Sequence, residues 1–432
     1  MQITDVDKSI DIYGEIMERQ TIQNNVSLTF LPSDKFKRNR ISISFIVPNE
    51  KEKATMYAVM PTLMERGYED YPDMCMFSKK LNAMYGSEFS ATTAVVGQNR
   101  ILRFTIQGIK NEYCINGENL LAEMTDVLLG VIFRPCVENG GFIADWLEVE
   151  KVKLREEIEG EINEKRGYCI KNAQRKFFGN HKNGVERLGY LEDVDGISPQ
   201  QLYNCYKELI SDSIVEIMVT ADADETIKEK FAAAFAGRKK AACPVLPVEI
   251  MPRKEVQTYS ESMDIVQGKV CLFYTVERPL TEDERYHMLV ASSIYGGTAS
   301  SRLFKNVREK QSLCYYCAAA YNGFTGSRRV DSGVEHQNCE NVVEAVQKEL
   351  SDLINSEITE KEISETKLVL LNSLDAVHDG LHGLEAWYLN EAIRGTWTSP
   401  EQVKEKVISV TEQQIKDVLG LLHLNVVYKL TK

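Results

Sequence analysis

The stretch PTLMERG, residues 61–67, carries Thr62, Glu65 and Arg66 at the spacing of a hydrolytic metal site. In that chemistry a helix bearing His-x-x-Glu-His directs two imidazoles to one side, where they hold zinc while the glutamate takes a proton from zinc-bound water. Here the acid stands in its place and both imidazole positions are changed. A threonine hydroxyl is a weak zinc ligand, and an arginine is a permanent cation without a lone pair to donate. The first histidine of the whole chain is His181. No intact catalytic set, no metal site and no cofactor are therefore expected in this chain by itself.

Three other groupings could do chemistry. In HDGLH, His378 and His382 lie four apart and would share a helix face, but Gly380 weakens that helix and aspartate replaces the longer glutamate, so a structural role is expected. The pair Cys314-Tyr-Tyr-Cys317 has metal or redox spacing, yet it sits in the strand-like run SLCYYCAAAY, where residues three apart point to opposite faces. Gly296-Gly297 is followed by neither lysine nor the hydroxyl of a phosphate loop and reads as a turn.

The elements that would position these residues follow two kinds of periodicity. RISISFIVP, residues 40–48, alternates as a strand; a helix follows over 54–64, ended by Gly67, then a second helix near 74–84 and strand-like runs at 88–96 and 101–107. A helix near 119–133 and charged helical sequence over 145–164 come next. The second half repeats this order: a strand at 268–276, a helix ended by glycines, a helix in SSRLFKNVREK, strands in SLCYYCAAAY and SRRVDSGVEH, and a helix over 340–353. The offset is about 230 residues with little identity, as after an old tandem duplication. Residues 237–257, with three prolines and five basic residues, break the periodicity and read as a linker between lobes at 1–236 and 258–432. The expected class is α+β: two tandem homologous lobes, each a mainly antiparallel sheet with helices packed on one face, closing as a clamshell.

Bulk properties narrow the function classes. The chain has 432 residues, 43% apolar and 27% charged, with a formal charge of −13, which opposes binding to nucleic-acid phosphates. The N-terminal stretch has no basic patch followed by an apolar run, and no segment approaches the ~18 apolar residues of a membrane span. Ten cysteines are scattered singly through apolar sequence, as reduced, buried thiols are. A cytoplasmic protein with no nucleic-acid or membrane partner is the expectation.

MPTLMERGYEDYP, the acid run EVEKVKLREEIEGE and GGTASSRLFKNVREKQSLCYY together resemble the pitrilysin/insulinase family of metallopeptidases. The likeness runs over nearly the whole chain and is strongest at 54–110, 145–220 and 290–345. It implies that the third metal ligand of active members falls on Glu157, within one helical turn, with an assisting acid at Glu150. It also implies that the family's substrate-binding arginine and tyrosine fall on Arg308 and Tyr315, reaching a cavity between the lobes. Because a carboxylate cluster built around a dication needs a positive partner when the ion is lost, Arg66 is expected to pair with Glu157 and with Glu65. The alternative is that Glu65 and Arg66 flank the solvated end of a helix.

The resemblance implies a non-catalytic, substrate-binding subunit of a heterodimeric metallopeptidase acting on unfolded peptides. Its partner would be a homologous chain with the intact motif, the only place where zinc is expected; a homodimer is one state open to the chain alone. A peptidase-fold binding or scaffold protein without a proteolytic role is the second reading, and an enzyme with unconventional ligands the third.

Overall fold

The computed structural model describes residues 8–12, 15–238 and 245–432. Cys243 and part of the expected linker, 239–244, lie outside these, as do residues 1–7, 13 and 14 of the N-terminal stretch. Two compact units form, neither continuous in sequence. The first comprises Met1–Glu159, Val185–Pro247 and His378–Trp397; the second comprises Gly160–Gly184, Val248–Val377 and Thr398–Lys432. Each unit thus includes one segment from the far half of the chain.

Among the described residues, the first unit is built on β1 (Lys8–Ile12), β2 (Glu15–Gln23), β3 (Val26–Phe30), β4 (Arg38–Pro48), β5 (Glu88–Val96) and β6 (Asn99–Ile109), with a small hairpin of β7 (Val137–Glu138) and β8 (Gly141–Phe142), and then β9 (Ile214–Thr220). Its seven-stranded sheet runs β1-β2-β3-β9-β4-β6-β5. The alternation in β4 sorts its two faces. Ile41, Ile43 and Phe45 enter an apolar core with Tyr57, Leu63, Val127, Leu128 and Phe231 from helices Lys51–Met64, Leu120–Phe133 and Glu225–Ala234. Ser42 and Ser44 point the other way and are also buried. That second face is polar. Arg19 and Glu216 pair across it through two hydrogen bonds of 2.6 and 2.8 Å, under the ring of Trp397 at 4.2 Å. Helix Leu381–Arg394 brings Glu385 to Arg40 and, at 3.4 Å, to Arg103. A helix on this face adds to the expected one-sided packing.

The second unit contains β10 (Gln257–Ser262), β11 (Gly268–Val276), β12 (Cys314–Asn322), β13 (Ser327–Val334) and β14 (Leu422–Thr431) in the order β10-β14-β11-β13-β12. This repeats the last five strands of the first sheet, β3-β9-β4-β6-β5, with one parallel pair followed by three antiparallel pairs in each. Strands β4 and β11 begin about 230 positions apart, so the duplication read from the sequence is a duplication of topology. On one face of this sheet, Cys271 and Phe273 pack with Val426 and Tyr428 against Cys169, Ala173 and Phe177 of helix Lys165–Phe178. No helix among the described residues is long and apolar enough to cross a membrane.

Candidate functional site

Helix Lys51–Met64 presents the degenerate motif at its C-terminal end. It stops because Gly67 adopts φ +143°, a conformation that L side chains rarely take, with the Tyr71 carbonyl oxygen only 2.4 Å from where a Cβ would lie. Thr62 is exposed, and its hydroxyl donates back to the Val59 carbonyl at 3.0 Å. Glu65 accepts from the backbone N–H of Ala91 on edge strand β5 at 2.5 Å. Burial raises the Glu65 carboxyl above its ordinary value and repulsion from Glu150 adds to this, while the Ala91 N–H and Lys153 oppose it.

Arg66 donates to Glu150 at 2.8 Å, and its guanidinium lies 5.6 Å from the ring centre of Trp146. The Glu150 side chain is only 3% exposed and also accepts from Lys153 at 2.8 Å. The expected partnership of Arg66 with Glu157 does not form. Glu157 is half exposed and accepts instead from Arg187 at 3.0 Å. Both acids lie on one stripe of helix Ala144–Gly160, but seven residues carry Glu157 roughly 10.5 Å along the axis, past the reach of Arg66. Trp146, Glu150 and Lys153 complete a cluster that sequence reasoning named only at Glu150; the i, i+4 spacing of Trp146 and Glu150 was the available signal.

This donor set does not fit zinc. Two carboxylates remain, one occupied by an edge-strand N–H, and a fixed cation stands against the other. Among the described residues, no group of three or more His, Cys, Asp or Glu is placed to hold a metal ion. His378 and His382 do not share a helix, because Gly380 is the N-cap of Leu381–Arg394 and His378 lies in the turn before it.

In the second unit, Arg308 lies in the last turn of Leu303–Lys310, which is wound as a π-helix; the Gln311 N–H bonds to the Asn306 carbonyl at 3.1 Å. The guanidinium is exposed and lies 4.5 Å over the Phe304 ring. Tyr315, 50% exposed, is on the following strand β12. The two-glycine segment lets the preceding π-turn approach this strand: a Cβ on Gly296 would lie 2.7 Å from that of Ala319. The register of β12 against β13 passes from Cys314–Val334 to Tyr316–Gly333, leaving Tyr315 as an extra, bulged residue. The opposite facing expected for Cys314 and Cys317 is therefore overturned: the bulge returns both thiols to one side, where they interact with each other and with the Ser332 hydroxyl.

The family profile for the peptidase M16 inactive domain matches residues 196–370. A Bacillus subtilis (strain 168) protein described as probable inactive metalloprotease YmfF is 23% identical over 96% of this chain and 97% of its own. The crystal structure of a conserved protein from Enterococcus faecalis V583 superposes with a TM-score of 0.89 at 25% identity, covering 96% of this chain and 98% of that one. A peptidase M16 inactive domain from Pseudomonas fluorescens superposes with a TM-score of 0.78 at 13% identity, covering 96% and 98%, a likeness that shows the fold alone. Residues 196–370 thus resemble the peptidase M16 inactive domain, and the whole chain, which carries no His-x-x-Glu-His motif, is similar to a protein described as a probable inactive metalloprotease.

Proposed function

We propose that this chain is the non-catalytic, substrate-binding subunit of a two-chain metallopeptidase that cleaves unfolded peptides, the hydrolytic site being supplied by a homologous partner with the intact motif. The observation that carries this reading is the contrast between the halves. The ligand positions of the first are taken by a self-bonded threonine and an ion-paired arginine, whereas the second keeps an exposed guanidinium and a half-exposed phenol at Arg308 and Tyr315. Such groups can donate hydrogen bonds to a peptide carbonyl or to the oxyanion formed from it. An extended peptide gains most of its affinity from main-chain hydrogen bonds to a strand edge, with little demand on its sequence. We take the setting as the cytoplasm, in keeping with nine free thiols among the described residues, and a homodimer as the state of the chain alone.

The test is to mix the chain with a homologue from the same genome that carries His-x-x-Glu-His and to follow cleavage of an unstructured fluorogenic peptide. The mixture is expected to cleave and this chain alone not to. Arg308→Ala should lower kcat/KM by about 100-fold and Tyr315→Phe by about 10-fold, as loss of oxyanion-type donors does. Cleavage unchanged by both substitutions refutes the role given to these residues. One observation favours the second reading, a binding protein without proteolysis: Glu65 occupies the outward N–H of Ala91, closing one position of the β5 edge to an added strand. Peptide binding that no catalytic homologue converts to cleavage would select it.

A further inference from the structure

We propose that Cys314 and Cys317 are a redox-active dithiol that a hydroperoxide closes to an intramolecular disulfide, and that closure re-aims Tyr315. The consequence for peptide binding rests on the role of Arg308 and Tyr315 proposed above. The two residues are 9% and 6% exposed on edge strand β12, and the bulge at Tyr315 is what brings their thiols together. The Cys314 thiol is drawn below the ordinary thiol value by the Cys317 hydrogen bond first, then by Ser332 and the positive charge of Arg308, against the cost of burial. Cys317, hydrogen-bonded to the thiolate and buried beside it, is pushed up. The Cys314 sulfur is thus the readier of the two to ionise and attack, and the other holds a proton next to it.

Chain length supplies the mechanical link. Three extended residues span roughly 10 Å, whereas a disulfide requires Cα atoms within about 7 Å. Closure on a straight strand is therefore out of reach and relies on the bulge, so the backbone adjustment that accompanies it falls on Tyr315, the residue with no ladder partner to hold it. In the reaction, the Cys314 thiolate attacks the hydroperoxide: an S–O bond forms, the O–O bond breaks, and the other oxygen leaves with a proton as water or an alcohol. Cys317 then loses its proton and attacks the sulfenic sulfur, forming the S–S bond while the S–O bond breaks and water departs. Two thiols lose two electrons and the hydroperoxide gains them.

Trypsin releases both cysteines, and no others, in the peptide 311–328. After the full chain is treated with stoichiometric hydrogen peroxide, this peptide should resist alkylation, be lighter by two hydrogens, and form at least about tenfold faster than oxidation at the exposed Cys75. Cys317→Ser should accumulate a dimedone-trapped sulfenic acid on Cys314. Two alkylatable thiols in 311–328 after Cys75 has oxidised would overturn the proposal. Binding of a fluorescein-labelled unstructured peptide should change by about threefold or more on oxidation, return with dithiothreitol, and stay constant in Cys317→Ser. A disulfide that leaves binding unchanged overturns the re-aiming of Tyr315. If neither redox form binds peptide, the role of Arg308 and Tyr315 fails, while the mass measurement still decides the dithiol.

Discussion

Replacing Arg66 by alanine would strand Glu150. At 2.8 Å and an effective dielectric constant near 20, the two charges attract by about 6 kcal/mol, most of which the desolvation of both ions offsets. Truncating one partner of a buried pair leaves the other uncompensated and typically costs about 3–5 kcal/mol. Lys153 remains on the same carboxylate oxygen, but its side chain is 58% exposed and screened by solvent, so the expected loss is about 2–3 kcal/mol. Glu150→Gln removes the buried charge, and in that background Arg66→Ala should cost less, giving a coupling energy of about 1–2 kcal/mol. Urea unfolding at pH 7 measures the cycle. Hydrogen exchange over residues 51–66 and 144–160 localises it, since a chain of two units need not unfold in one step. A loss within about 0.5 kcal/mol together with zero coupling would refute the reasoning and return both residues to ordinary solvated helix positions.

Glu385→Ala should leave Arg40 and Arg103 facing each other without their acid and cost about 3–5 kcal/mol, read as lost exchange protection in Leu381–Arg394. Glu65 has a raised carboxyl in the folded chain, so its contribution to stability is full below its unfolded value and declines as pH rises through the folded one. Glu65→Gln keeps the acceptor for Ala91 and removes the charge; its melting temperature should exceed wild type at pH 7, with the gap closing towards pH 4. Thr62→His with Arg66→His rebuilds two imidazoles within reach of Glu150 and should bind zinc at about micromolar Kd or tighter by calorimetry. That binding should be lost with Glu150→Gln and kept with Glu157→Gln, because Glu150 is the acid facing this helix.

Much of the architecture was legible where residue type and period coincide. The alternation of RISISF predicts both faces of β4, and the replay of element order predicts the repeated strand topology. Strands β9 and β14 carried a weaker signal: β9 is buried along its whole length, and a continuous apolar run such as IVEIMVT does not distinguish strand from buried helix. The helices at 165–178 and 381–394 pack in units formed mainly by the other half of the chain, which no local pattern announces. At the site, the loss of both imidazoles was plain, but the choice between Glu150 and Glu157 was not, because residues seven apart share a helix face. Only translation along the axis separates them. The CYYC pair was misplaced for a related reason: strand alternation holds until one residue is inserted, and the bulge at Tyr315 inverts it.

The most direct test of the central claim, that an arginine–glutamate pair stands where a metal site would be, is the zinc content of the purified chain after equilibration with excess zinc and exhaustive dialysis. Arg66 paired with Glu150 predicts far less than one zinc per chain, unchanged by Glu150→Gln. One zinc per chain, released by that substitution, would contradict the account.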